Sequence, residues 1–458
     1  MKAAMGRGRQ TAVYSGNFFQ LRYFRGAALI AAAAFGCPGS AFAESATIAP
    51  LAHPISGDET FAAAFAPYQR AQPAGGSAPA PVEPASLPSS APKKRKTDAR
   101  LVWTQFVDSP ISGDAASTVR YGGKVDAYLR IPGAKFGLDD SWTLSLHPEF
   151  RYGETSNGEI GLLPTNTQLF YPAQDGEVFD LSASITKHWR SGTSLTVGKV
   201  NVLDIAERLP VVGGGGQEGF MNLAMALPPS AIVPASLTGV LLNVPTEKVT
   251  YRFWVYDPAL ESRKTGFEDP FDSGVGFLAS ITVNTKFGGK NGYYALKVAG
   301  STRDSVAADA LPAALIPGPN SAFGRNKGEI SAILAGAQYL VEYPESPGSG
   351  IGLFGQVYLS NGDPTFLDAS GFAGISGNPR SRPQDRFGIA YFRYSLTDGL
   401  VRELANRLAL EDEEGVEMFY TAQVVDAVRV TADVQVVDSA VAARRTGVTA
   451  SLRIKTTF

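Results

Sequence analysis

The chain ends in a stretch, Val448 to Phe458, in which apolar and polar residues alternate with one interruption at Thr456. In a soluble protein, a terminal strand that is apolar along one whole face invites aggregation. In a membrane barrel that face contacts lipid while the polar face lines a watery lumen. A terminal aromatic residue fits the interfacial girdle of such barrels. A C-terminal strand of a soluble sheet is the alternative that this segment alone leaves open.

The same alternation recurs upstream, between loops rich in Gly, Pro, Asn and Asp. The stretches are 119–131, 142–152, 179–188, 249–255, 275–284 and 428–436. A period of two predicts strands, and about 9 to 11 residues cross a bilayer at a tilt. Charged residues make up 18% of the chain, below the roughly 25% usual for soluble domains. We therefore predict an all-β fold, a transmembrane antiparallel β-barrel of about 16 strands, within the even-numbered range of bacterial barrels.

The N-terminus has the order of a secretory signal peptide. Arg22 and Arg25 precede the apolar stretch 26–36, and Ala41-Phe42-Ala43 offers small residues for cleavage before Glu44. The single cysteine, Cys37, lies inside this segment, so the mature chain is expected to have no disulfide. Lipid attachment at Cys37 is the weaker alternative, since Phe35 fits a lipoprotein signal poorly.

Three regions follow from these patterns: a signal peptide over 1–43, an extension over 44–97 and a barrel over 98–458. The extension is rich in Ala, Pro and Ser and closes in the basic run 93–96. Such a composition cannot bury enough apolar surface to offset ordering, which predicts a disordered periplasmic segment. The most apolar later stretch, 220–244, contains three prolines and does not read as a transmembrane helix.

The polar face of the predicted strands carries charges of both signs, with a basic excess. Its cations are Arg120, Lys124, Arg130, Arg151, Arg252, Arg429, Arg453 and Lys455, and its anions are Asp126, Glu149, Asp180 and Asp433. Opposed charges in a pore order water and favour solutes with many hydroxyl groups. Mutual neutralisation between neighbouring strands is the alternative. Long connections are expected at 153–177, 205–235, 259–273, 303–327 and 360–385.

Nucleotide and enzyme sites find little support. Gly214, Gly216 and Gly219 satisfy a GxGxxG pattern, but the preceding Leu209-Pro210 and the later Pro228 do not provide the strand and helix of a dinucleotide site. His147 and His188 are expected to face the lumen, where no nucleophilic arrangement accompanies them. The two histidines with Glu149 match no recognised metal-ligand spacing. We expect no enzyme activity, no cofactor and no metal.

Several segments resemble the carbohydrate-selective porin family of the OprB type, over about residues 100 to 458. They are 198–204, 219–224 with the following prolines and Gly239, 385–391, 415–420 and 430–435. The resemblance implies a 16-stranded outer-membrane channel for sugars, narrowed by inward loops and charged lumen residues. The expected channel-lining residues are Glu149, Arg151, Lys199, Asp204, Arg208, Gln217, Asn222, Arg252 and Trp254. Trp254 could stack on a sugar or only fill space.

The leading hypothesis is therefore an outer-membrane porin for passive diffusion of small hydrophilic solutes, monosaccharides above all. A channel for small anions or organic acids is one alternative, and a barrel that anchors the envelope through its N-terminal tail is another. Expected partners are sugars and outer-membrane lipid, with no nucleic acid. A homotrimer and contact of residues 44–97 with the cell wall are left open.

Overall fold

The computed structural model describes residues 96–169, 177–206, 218–226, 232–259, 269–303, 315–318, 321, 323, 328–362 and 364–458. Within them, sixteen antiparallel strands form a closed barrel in which each strand pairs with its neighbours in sequence. The strands are β1 Asp98–Ser112, β2 Arg120–Pro132, β3 Trp142–Gly153, β4 Val178–His188, β5 Ser194–Asn201, β6 Ser236–Pro245, β7 Val249–Tyr256, β8 Gly276–Phe287, β9 Lys290–Ser301, β10 Glu329–Glu342, β11 Gly350–Gly362, β12 Leu367–Gly377, β13 Arg386–Leu396, β14 Glu413–Val425, β15 Val428–Asp438 and β16 Gly447–Thr457. This confirms the predicted fold class and strand number.

In the described part of the chain, three short α-helices accompany the strands. They are α1 Leu203–Ala206, α2 Leu223–Ala226 and α3 Asp398–Leu404. No helix in the described part of the chain is both long and apolar enough to span a bilayer.

The C-terminal stretch closes the barrel. Strand β16 pairs with β1, with Phe106 opposite Arg453. The N–H of Phe458 donates to the carbonyl of Leu101 at 2.8 Å, and the Leu101 N–H donates back at 3.3 Å. Closure leaves no unpaired sheet edge, which is the condition for strands to sit in lipid. The alternative of a soluble edge strand is therefore wrong.

The two faces of the strands differ as the alternation predicts. Phe179 and Leu334 on the outer face are 61% and 55% exposed. On the inner face, Asp126 and Glu149 are 0% and 3% exposed. A mostly apolar exterior around a polar and aromatic interior suits a barrel surrounded by lipid.

The connections differ at the two ends of the barrel. Gly288 and Gly289 form a two-residue turn between β8 and β9, and both have positive φ, as a type I′ hairpin requires. Four of the predicted long connections join strands at the opposite end: β3 to β4, β5 to β6, β7 to β8 and β9 to β10. The fifth, 360–385, is wrong because it contains strand β12. Gly371 and Ala373 on the outer face of β12 are too small to make alternation visible.

A lysine on the outer face should destabilise the barrel according to its depth in the bilayer. Leu334 lies in the middle of β10, whereas Val424 lies next to the end of β14. Leu334→Lys should lower the free energy of unfolding by about 2–4 kcal/mol, and Val424→Lys by about 0–1 kcal/mol. Denaturant unfolding in lipid vesicles measures both. Equal effects of the two substitutions would contradict an outer face embedded in lipid.

Candidate functional site: the divided lumen

Two connections fold into the barrel and fill part of its lumen. The first inward segment is 154–169, and the second comprises 202–206, 218–226 and 232–235. Phe220 of the second segment is fully buried, with its ring centroid 4.8 Å from that of Phe419 and 5.3 Å from that of Phe354. The Thr167 N–H donates to the Met221 carbonyl at 2.8 Å. The two segments thus pack against each other and against the wall.

Two glutamates of β14 hold these segments. Glu413 accepts hydrogen bonds from the N–H groups of Leu162 at 2.6 Å and Leu163 at 3.4 Å. Glu417 accepts from the N–H groups of Met221 and Asn222, the latter at 3.1 Å. Buried backbone N–H groups need acceptors, and a carboxylate forms the stronger class of hydrogen bond. Glu413 and Glu417 therefore fix where the segments lie.

The neighbouring strands add further anchors. The Asn222 side chain donates to Gln435 at 3.0 Å, and Gln435 donates to the Thr165 carbonyl at 2.8 Å. Arg453 donates to the Gly219 carbonyl at 3.1 Å. This side of the lumen, from β14 to β16, is consequently occupied by the inward segments.

Glu218 is held by two cations of the wall. Its carboxylate lies 3.0 Å from the Lys455 ammonium and 3.3 Å from the Arg429 guanidinium. Burial alone would raise the pKa of the Glu218 carboxyl, but the two cations outweigh burial and hold that pKa well below its usual range. Lys455 and Arg429 thus each form an ion pair with a loop carboxylate. Arg453 instead donates a hydrogen bond to a loop carbonyl.

Among the described residues, two cavities lie on either side of α1. The polar cavity lies against β2 to β5 and is lined by Tyr128, His147, Ser182, Lys199, Asn201 and Asp204. The cationic cavity lies against β7 to β12 and is lined by Arg252, Trp254, Ser280, Lys297, Gln356 and Phe372. Ile205 of α1 contributes to both.

A ladder of charges backs the polar cavity. From the long-loop end inwards, Arg151 contacts Glu149 at 2.6 Å, and Glu149 contacts Lys124 at 2.8 Å. Lys124 contacts Asp126 at 3.0 Å, and Asp126 lies 2.9 Å from His147 Nε2. The other ring nitrogen of His147, Nδ1, lies 2.7 Å from Asp204 of α1. Cations and carboxylates therefore alternate from the wall to the inward segment.

A second ion pair extends this wall. Lys199 of β5 lies 2.5 Å from Asp180 of β4, and both are buried. Thr196 and Lys199 both lie on the inner face although they are three residues apart. Gly198 between them has a φ of +130°, a conformation that only glycine adopts at little cost. The glycine thus shifts the phase of β5 and places Lys199 beside the cavity.

Asp126, His147 and Glu149 form the kind of cluster that can hold a metal, with ligand atoms within 4.8 Å of one another. The Lys124 ammonium contacts both carboxylates of this cluster. A positively charged group already occupies the place of an ion, so the donor set fits a metal poorly. His188 lines the polar cavity and is not part of the cluster.

Seven of the nine predicted channel-lining residues lie in the described part of the chain, and they fall in four places. Lys199 and Asp204 line the polar cavity, and Glu149 and Arg151 belong to the ladder behind it. Arg252 and Trp254 line the cationic cavity. The Asn222 side chain bonds to Gln435 and anchors the second inward segment. Arg208 and Gln217, and the glycines from Gly213 to Gly216, lie outside the described residues. A role in solute contact stays a prediction for all nine.

Sequence reasoning did not single out Glu413, Glu417 or Lys297. Alternation places each of them on an inner face but says nothing about its partner. For Glu417 that partner lies 196 residues away along the chain.

Removing the Glu417 carboxylate should loosen the second inward segment. Glu417→Ala leaves two buried N–H groups without an acceptor, at a cost of about 1–3 kcal/mol each. We expect a larger and noisier single-channel conductance in planar bilayers. Glu403→Ala on α3, an exposed glutamate, is the matched control and should leave the conductance unchanged. Identical current traces for a folded Glu417→Ala variant and its control would contradict the anchoring role.

Comparison with known proteins agrees with this architecture. No curated protein matches the chain significantly by sequence. The high-pH structure of Pseudomonas putida OprB is 16% identical, covers 79% of this chain and 94% of its own, and has a TM-score of 0.66. Its low-pH structure is 12% identical, covers 79% and 92%, and has a TM-score of 0.48. At 16% identity, the likeness to the high-pH structure shows the fold alone. The family model of the carbohydrate-selective porins, OprB family, matches residues 118–458, well over half of the chain. The chain therefore belongs to the carbohydrate-selective porin family of the OprB type, whose members are outer-membrane channels.

Proposed function

We propose that the protein lets monosaccharides diffuse passively across the outer membrane by way of the polar cavity. Family membership supports a sugar as the solute. The observation that carries the proposal is the ladder from Arg151 to Asp204, in which cations and carboxylates alternate. In this proposal the sugar moves down its own concentration gradient, without catalysis or energy input.

Alternating charges suit a neutral solute with many hydroxyl groups. Each sugar hydroxyl both donates and accepts, so it can bond to a carboxylate and to an ammonium group in turn. A wall of balanced charge attracts neither ion strongly, yet it orders water and replaces part of the sugar's hydration. The net effect is passage of sugars without strong ion selectivity.

The side chains that line the polar cavity add uncharged partners. Ser182, Ser184 and Thr186 of β4 and Asn201 of β5 face the same space as Lys199 and Asp204. The Tyr128 ring lies at its edge, stacked on His147 with centroids 4.1 Å apart. A sugar ring needs hydrogen-bond donors and acceptors at its edge and an aromatic or apolar surface against its face. The polar cavity offers both.

The N-terminal tail and the oligomeric state enter only as predictions. Contact of residues 44–97 with the cell wall stays a prediction, since all of this segment but residues 96 and 97 lies outside the described residues, as does the signal peptide. A homotrimer through the lipid-facing surface also stays a prediction.

Asp204 offers a direct test because its carboxylate is the member of the ladder on the inward segment, with 19% of the side chain exposed. Wild-type protein in liposomes should admit D-glucose, measured by swelling. Asp204→Asn removes one negative charge from the polar cavity and weakens the contact with His147. It should slow glucose entry and move the reversal potential in a KCl gradient towards anion selectivity.

Asp398→Asn is the matched control, since Asp398 lies on α3 with 86% of its side chain exposed. It should behave as wild type in both measurements. A folded wild-type protein that opens channels but never admits glucose would overturn the proposal. Equal glucose entry and an equal reversal potential for the Asp204→Asn variant and wild type would contradict a sugar path through the polar cavity.

A further inference from the structure

The cationic cavity differs from the polar cavity in its charge. Arg252 of β7 and Lys297 of β9 both line it, and none of the described residues around it is a carboxylate. Lys297 makes no ion pair with any described residue. Every other lumen lysine discussed above has a carboxylate within about 3 Å, as Lys124 and Lys199 show. Lys297 is partly buried, and an ammonium drawn away from water without an anion is costly unless something supplies one.

The strand register brings the two cations together. Ser280 of β8 lies opposite Arg252 on one side and opposite Lys297 on the other. Strands lie about 4.8 Å apart, so the backbones of the two cationic residues are about 10 Å apart, level with each other across β8. Both side chains can therefore reach a single anion above Ser280. The Arg252 guanidinium donates to Thr282 Oγ1 at 2.8 Å, which fixes its position.

Apart from the polar residues Ser280, Thr282, Tyr293 and Gln356, the rest of the cavity lining is mostly apolar. Trp254 and Leu278 lie on the wall next to the cations, and Phe372 lies on β12. Ile205 of α1 and Met225 of α2 cover them from the inward segment. A small inorganic anion would leave this surface in contact with water, whereas an anion with an apolar body would cover it.

We propose that the cationic cavity is a binding site for small amphipathic carboxylates, with the carboxylate between Arg252 and Lys297 above Ser280. The apolar or aromatic body lies between Trp254, Phe372 and the inward segment. Binding there is separate from sugar passage through the polar cavity, so one channel serves both a neutral and an acidic class of solute.

Benzoate is the probe, and acetate and benzyl alcohol are its controls. Acetate keeps the carboxylate and lacks the ring, while benzyl alcohol keeps the ring and lacks the charge. In planar bilayers, benzoate should interrupt the single-channel current at a lower concentration than either control. Block by benzoate that is no stronger than block by acetate, or by benzyl alcohol, would overturn the proposal.

Lys297→Gln tests the site itself. Loss of one charge-assisted contact should raise the half-blocking concentration of benzoate about tenfold, and Lys297→Arg should restore much of the block. Lys286→Gln, an exposed lysine on β8, is the matched control. An unchanged half-blocking concentration in a folded Lys297→Gln variant would refute the site.

Glucose swelling on the same preparations separates this proposal from the proposed function. If glucose enters but benzoate does not block selectively, only the carboxylate site fails. If benzoate blocks as predicted but glucose does not enter, the carboxylate site stands and the sugar path fails.

Discussion

Every buried N–H of a loop inside a barrel must find an acceptor, and this requirement organises the lumen. The inward segments have no strand partners of their own. Glu413 and Glu417 supply carboxylates to four backbone N–H groups of these segments. Because β14 is rigidly paired on both sides, those bonds fix the segments in one position. The shape of the remaining space follows from that position.

The division of the lumen is a consequence of the same anchoring. With the side from β14 to β16 occupied, α1 stands between two cavities of opposite character. The polar cavity is backed by paired charges that end on Asp204 of α1 itself. The cationic cavity has cations against an apolar surface. One inward segment thus gives a single barrel two chemically distinct environments for solutes.

Sequence predicts the wall of this protein much better than its interior. The face on which Lys124, Arg252 or Arg453 lies follows from a period of two, because lipid requires an unbroken apolar exterior. Strand β12 is not predicted by this period because the residues on its outer face include glycine and alanine, which are too small to show the alternation. The partners of the inner residues depend on how a loop folds back, which no local pattern encodes. Arg453 illustrates the limit: its inward direction is predictable, but its bond to the Gly219 carbonyl is not.

Hydrogen exchange at the Met221 and Asn222 amides tests the central claim most directly, because anchored amides open only when their bonds to Glu417 break. In folded protein in lipid nanodiscs, these amides should exchange about as slowly as those of strand β14. Exchange as fast as that of the exposed loop residues 405–407 would contradict the account, because the inward segments would then be free to move and could not divide the lumen.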